Sequence, residues 1–233
     1  MSKPVCVIVG VGAGNGAAFA RKFSAEGYQV ALLARNERKL NTFAEQIANS
    51  RAYACDVMKI EQVKEVFTRI QAEMGVVKTL IYNAGTRHAG TVDSATVEAV
   101  EMDWRVNTLG CLIAAQQVVP GMRDAGGGNI IVIGATASLQ SGPDFLPFDA
   151  AKAAQRSVVQ SIAKQVGKDN IHVSYIIIDS VVDMPLARQF LPDKPDDFFA
   201  KPDEIAETVY YLTQQPKSAW TFQLDVRPFS SNW

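Results

Sequence analysis

The chain has 233 residues, of which 48% are hydrophobic and 20% charged, with a formal net charge of −1. That balance excludes a disordered or fibrous chain, and the length suits one α/β domain rather than two. There is no basic excess and no polybasic run, so neither a nucleic-acid backbone nor a membrane surface is an expected partner.

Strand-like and helix-like segments alternate from the first residues onward. Seven apolar, β-branched runs read as strands covered on both faces: VCVIVG (5–10), YQVALLA (28–34), RAYACDV (51–57), KTLIYNAG (78–85), GNIIVIG (128–134), IHVSYIIID (171–179) and WTFQLDV (220–226). Amphipathic segments of helical length separate them, among them GAAFARKFSAEG, NERKLNTFAEQIAN and KIEQVKEVFTRIQAEM. Strand–helix alternation implies right-handed crossovers and a parallel sheet. The expected fold is therefore α/β, a Rossmann-type doubly wound and mainly parallel seven-stranded sheet, in a single domain over residues 1–233. One long irregular stretch, from about Ser180 to Ala200, leaves the end of the sixth strand, where ligands of open α/β sheets bind. The last strand places Trp220, Phe222, Leu224 and Val226 on one apolar face, and PFSSNW after it carries two further aromatics, Phe229 and Trp233.

Cys6, Cys55 and Cys111 have no paired or zinc-type spacing, and His88 and His172 have no ligand neighbours. This predicts a reducing, cytoplasmic setting and no metal site. The apolar run in MSKPVCVIVG is too short for a signal peptide or a membrane span and reads as a first strand.

The first strand ends in VGVGAGNGAAFARKF, in which Gly10, Gly14 and Gly16 are spaced G-x-x-x-G-x-G and Gly12 adds a further small residue. Such a turn brings backbone amides and a helix N-terminus up to a pyrophosphate. Glycines also collect in tight turns for steric reasons alone, but here the turn follows a first strand and opens a helix, the context a dinucleotide site requires. An NAD site usually ends its second strand with an acid that holds the ribose 2′-hydroxyl. This chain has Ala34 there, followed by Arg35, whose guanidinium can pair with a 2′-phosphate. The missing acid favours NADP(H) over NAD(H); the plainer alternative is that Arg35 begins a solvated helix beside Arg38 and Lys39.

Together with CDV (55–57), NAG (83–85), Asn107 in WRVNTLG and Lys152 in FDAAKAA, the glycine turn resembles the short-chain dehydrogenase/reductase family over essentially the whole chain. The resemblance implies a cofactor site built from Gly10, Gly12, Gly14, Asn15 and Gly16. Asp56 and Val57 would lie at the adenine, and Asn83, Ala84 and Gly85 would line the cofactor ribose and support the central strand. Lys152 would hold the nicotinamide ribose hydroxyls. A homodimer or homotetramer is also implied, with the tail and the helices around residues 95–122 and 147–167 at interfaces.

Members of the family usually carry a Ser–Tyr–Lys–Asn set, in which tyrosine is the acid/base at the substrate oxygen and serine bonds that oxygen. Lysine lowers the tyrosine pKa, and asparagine holds a water in the proton relay. Asn107 and Lys152 match, whereas Phe148 stands at the tyrosine position and Ala135 at or near the serine position. Phe148 and Lys152 are separated by four residues and share a helix face, so the lysine lies where it would activate a hydroxyl that is absent. Ser138, Thr136 and Ser141 on the same loop are candidate replacements, Ser138 first among them, and Asp144 and Asp149 are candidate proton carriers; each also fits a bland role in turns and helix capping. Asp179 and Ser180 replace the Pro-Gly that the family tends to place after the sixth strand. Phe145, Leu146 and Phe148, with Met184, Leu186, Phe190, Phe198 and Phe199 from the long stretch, point to an apolar small-molecule substrate, although such a loop also buries aromatics merely to stay folded. Two functions follow. One is an NADP(H)-dependent oxidoreductase transferring hydride to or from a small carbonyl or alcohol with an altered proton donor. The other is a catalytically silent NADP(H)-binding or sensor protein of the same fold.

Overall fold

A computed structural model describes residues 3–231 of the chain. In chain order the elements are β1 (Val5–Val9), α1 (Asn15–Ala25), β2 (Gln29–Ala34), α2 (Glu37–Gln46), β3 (Ser50–Ala54), α3 (Ile60–Met74), β4 (Val77–Tyr82) and α4 (Val97–Asp103). A π-helical turn, Trp104–Leu109, carries α4 into α5 (Gly110–Asp124). Then come β5 (Gly128–Ala135), α6 (Leu146–Val166), β6 (Ile171–Ile178), β7 (Val181–Val182), α7 (Pro185–Phe190), β8 (Phe199–Ala200), α8 (Pro202–Thr213) and β9 (Gln223–Val226).

The seven expected strands form one sheet in the order β3-β2-β1-β4-β5-β6-β9, and every pairing in it is parallel. Because consecutive apolar residues of a strand point to opposite faces, each run feeds two cores. Val5, Val7 and Val9 join the layer under α3, α5 and α6, with Phe67, Val118 and Val159. Cys6 and Ile8 join the opposite layer under α1, α2 and α8, with Phe19, Phe23, Leu40 and Val209. Phe23 is fully buried, and its truncation to alanine would cost about 3–5 kcal/mol.

The strand order reverses between β1 and β4, because the first three strands build outward one way and the later ones the other. Ligands of open parallel sheets bind at such a switch, beyond the carboxyl ends of the strands. Local chemistry sets the helices that frame it. Asn36 caps α2 by accepting from the Lys39 amide at 3.0 Å, and Pro147 enters the first turn of α6.

Two expected segments differ. The stretch 180–200 is ordered rather than irregular: β7 pairs with β8, and α7 lies between them. Its reason is electrostatic. Asp183 accepts from Nε and Nη2 of Arg188, at 2.7 and 2.8 Å, and from Lys201 Nζ at 2.8 Å, while Asp196 takes the same two cations. The last strand is shorter than expected, and its apolar residues do not share one face. Leu224 and Val226 pack on the α1/α8 core, Phe222 packs on the other core, and Trp220 stacks on His172 at 4.7 Å. Phe229 is 90% exposed, and Trp233 lies outside the described residues.

Candidate active site

A cavity of about 230 Å³ opens at the switch. Its walls are the ends of β1, β2 and β4 and the turns after all of the first four strands, including Gly10, Gly12, Ala34, Arg35, Asp56, Val57, Asn83, Ala84, Gly85 and Thr86. The glycines act for different reasons. Gly10 has a φ of +95°, and a Cβ there would meet the Ala84 amide nitrogen at 2.4 Å. At Gly16 a Cβ would lie 2.7 Å from Gly10 O, so these two let the turn pack on the protein itself. Gly12 has open space beyond it, and a Cβ at Gly14 would meet only the side chains of Met184, at 3.6 Å, and Val182, at 3.7 Å. Asn83 donates to Gly10 O at 2.7 Å and ties β4 to the turn.

The polar inventory fits a dinucleotide. Asn15 Oδ1, Thr86 Oγ1 and Asn107 Oδ1 are buried without a hydrogen-bond partner, a costly state that ligand hydroxyls or amides would relieve. Asn15 lines an adjoining cavity of about 410 Å³ with Gly12, Gly14 and Gly16, roofed by Val182, Met184 and Leu186 from the 180–200 segment. Arg35 is exposed at the far end and makes no hydrogen bond or ion pair among the described residues.

A third cavity, of about 480 Å³, lies across β5 and the start of α6. Phe148 and Phe145 line it with Ala135, Thr136, Ser141, Asp149 and Arg87. Lys152 Nζ stands 5.9 Å from the centre of the Phe148 ring, as their shared helix face predicts. The ammonium is buried and donates to Ile133 O and to Gln155 Oε1, both at 3.1 Å. Burial lowers its pKa to about 8. The Gln155 amide then donates to Asn107 O at 2.8 Å, so one buried side chain joins Lys152 to Asn107. The π-helical turn frees that carbonyl, while Asn107 Nδ2 donates to Thr86 O and Asp103 O, each at 2.9 Å.

A profile described as short chain dehydrogenase matches residues 4–193. The chain belongs to the short-chain dehydrogenase family. An uncharacterized oxidoreductase of Staphylococcus aureus is 28% identical over 230 residues, covering 98% of each chain. A short-chain dehydrogenase structure from Rhodopseudomonas palustris superposes with a TM-score of 0.84 at 30% identity, over 97% of this chain and 99% of that one. An alcohol dehydrogenase from the archaeon Thermococcus sibiricus, complexed with 5-hydroxy-NADP, gives 0.89 at 25% identity, covering 99% of each.

Within this short-chain dehydrogenase the residues expected at the cofactor, Lys152 apart, line two adjoining cavities that share Gly10, Gly12 and Asn83, and the expected hydroxyl does not face the substrate side. Ser138 is 8% exposed, donates to Ala135 O at 2.7 Å and is absent from the cavity wall. Its short helical turn, Thr136–Ser138, rotates the side chain inward. Thr136 Oγ1 is spent on Asp179 Oδ1 at 2.7 Å, which leaves Ser141 as the loop hydroxyl that lines the cavity without a hydrogen bond among the described residues. Asp149 is buried and accepts from the Gly142 amide at 2.8 Å. Asp179, in place of the family's proline, is held by Arg227 at 3.0 Å.

The expected apolar pocket is also smaller than its eight residues. Phe145 and Phe148 line the cavity, but Phe190 is 76% exposed, and Phe199 is buried away from it under Arg188. Sequence reading missed Gln155 and Arg87. Gln155 lies three residues after Lys152 on a shared helix face, a spacing that could have flagged it. No local signal marks Arg87.

Proposed function

We propose that this protein is an NADP(H)-dependent oxidoreductase that interconverts a small carbonyl compound and its alcohol without a proton donor at position 148. The observation that carries the reading is a glycine-lined cavity at the strand switch, with three orphaned buried polar atoms in the elements that frame it, an Arg35 unpaired among the described residues and no acid at the end of β2. The 5-hydroxy-NADP complex of the Thermococcus sibiricus alcohol dehydrogenase supports the same cofactor. Bound NADPH would supply the hydride. Gly12, Asn15 and Arg35 would hold its phosphates, and Thr86 and Asn107 would answer its hydroxyls or amide. Lys152 Nζ has two of its three protons engaged, which leaves one for a ribose hydroxyl. The proton for the substrate oxygen would come from water or from Ser141, at a loss of roughly 10²–10⁴-fold relative to a positioned acid.

A catalytically silent NADP(H) sensor is the second reading, and Gln155 favours it. An amide between Lys152 and Asn107 O holds both groups but does not pass protons as a water would. Turnover of an activated carbonyl or quinone panel, lost on Lys152→Ala, would exclude the silent form.

The cofactor assignment is tested by calorimetric titration with NADPH and with NADH. NADPH is expected to bind in the micromolar range, with a preference of about tenfold or more that Arg35→Ala removes. Absence of binding by either nucleotide at millimolar concentration overturns it. Free, buried cysteines support a reducing compartment, and among the described residues no helix is long and apolar enough to cross a membrane. Half-exposed Trp104 and Met102 near the α4–α5 junction support self-association through that face; a monomer by light scattering would refute it.

A further inference from the structure

Arg87 is the unexplained charge of the substrate side. It leaves β4 two residues after Gly85 and lines the 480 Å³ cavity. Its guanidinium lies over the Phe145 ring at 3.8 Å and 5.8 Å from the centre of Phe148. Among the described residues it makes no hydrogen bond and no ion pair. Stacking on an aromatic face orients the plane of a guanidinium and leaves its in-plane N–H donors free for a planar acceptor.

The acid that shares the cavity wall does not take the role of an internal partner. Asp149 shares the cavity wall, but its carboxylate accepts from the Gly142 amide at 2.8 Å and forms no ion pair with Arg87. The cation, exposed at the cavity wall, therefore has no ion-pair partner among the described residues, and it stands against the ring at the position where the family usually carries the acid/base tyrosine. The Lys152 ammonium lies 5.9 Å from the same ring.

Resting on the oxidoreductase reading above, we infer that Arg87 recognises an anionic group of the substrate, and that the substrate class is a carbonyl or hydroxyl compound with a carboxylate next to the reacting carbon. A singly charged, planar carboxylate matches the one lining cation and its bidentate fork. A phosphate, with more charge, would find only Arg87 on the wall and Asp149 opposing it. In the reducing direction the 2-oxo acid accepts a hydride from NADPH at the carbonyl carbon and a proton at its oxygen, giving the 2-hydroxy acid and NADP⁺. Arg87 takes no part in that transfer; it fixes which molecule is held for it.

The test compares phenylglyoxylate with its uncharged methyl ester, which keeps the same ketone and ring. Each is titrated calorimetrically into protein loaded with NADP⁺, where no turnover occurs, and into the free protein. The acid is expected to bind about tenfold to a hundredfold more tightly than the ester. Arg87→Met should erase that difference and Arg87→Lys should keep part of it, with melting temperatures confirming that both variants fold. Equal binding of acid and ester, or an acid preference that survives Arg87→Met, overturns the inference. Failure of NADP⁺ itself to bind would sink the cofactor reading alone, because the acid–ester comparison on free protein still decides the role of Arg87.

Discussion

The two sides of the groove are built on different principles. On the nucleotide side, recognition rests on backbone and small residues: a glycine turn, a helix start and the ends of four adjacent parallel strands. On the substrate side it rests on individual side chains, and there Phe148, Ala135, Gln155 and Arg87 stand in a combination the family pattern does not predict. A backbone cradle is dictated by the fold, so it persists wherever the sheet does. Side-chain chemistry can be exchanged one residue at a time while the same helix stays in place.

The sharpest way to break this contrast lies within the glycine turn. Gly10→Ala puts a Cβ 2.4 Å from Ala84 N at a φ of +95°, and should cost about 2–4 kcal/mol with loss of NADPH binding. Gly12→Ala adds a methyl to open space, so it should melt like the parent while binding NADPH more weakly. Thermal melting and calorimetry separate the two; equal effects at both positions would contradict the division between packing and ligand roles.

Next in size is restoration of the missing hydroxyl. Phe148→Tyr should raise kcat on an activated carbonyl panel by roughly 10²-fold, and should fail to do so in a Lys152→Ala background. No gain in the Lys152 protein would mean that the substrate side lacks more than one hydroxyl, which favours the sensor reading.

The smallest effect comes from the buried lysine. Its pKa is lowered from the ordinary 10.5 to about 8 because burial disfavours the ammonium. Below about pH 8 the folded protein bears the whole desolvation cost. Between about 8 and 10.5 the folded chain releases its proton while the unfolded chain keeps it, so stability attributable to Lys152 rises with pH. Urea unfolding of the parent and of Lys152→Met should diverge in the parent's favour by about 2 kcal/mol from pH 7.5 to 10. A constant difference would show that Lys152 does not titrate in that window.

Local pattern determined much of this protein. Runs such as VCVIVG and GNIIVIG are apolar on consecutive residues, which only a strand covered on both faces accommodates, and all seven runs entered the sheet. The glycine turn, Arg35 and the Phe148–Lys152 pair were legible because each depends on residues close in sequence. The 180–200 segment was misread because its order comes from Asp183 and Asp196 meeting Arg188 and Lys201, a charge network with no periodicity. Tertiary structure alone decided the rest. It turned Ser138 inward, ran Gln155 from Lys152 to the Asn107 carbonyl 48 residues away, and laid Arg87 on Phe145 from another strand's loop. Local sequence sets which way a chain bends and which faces are apolar; the partner a polar side chain finds depends on which distant element the sheet brings beside it.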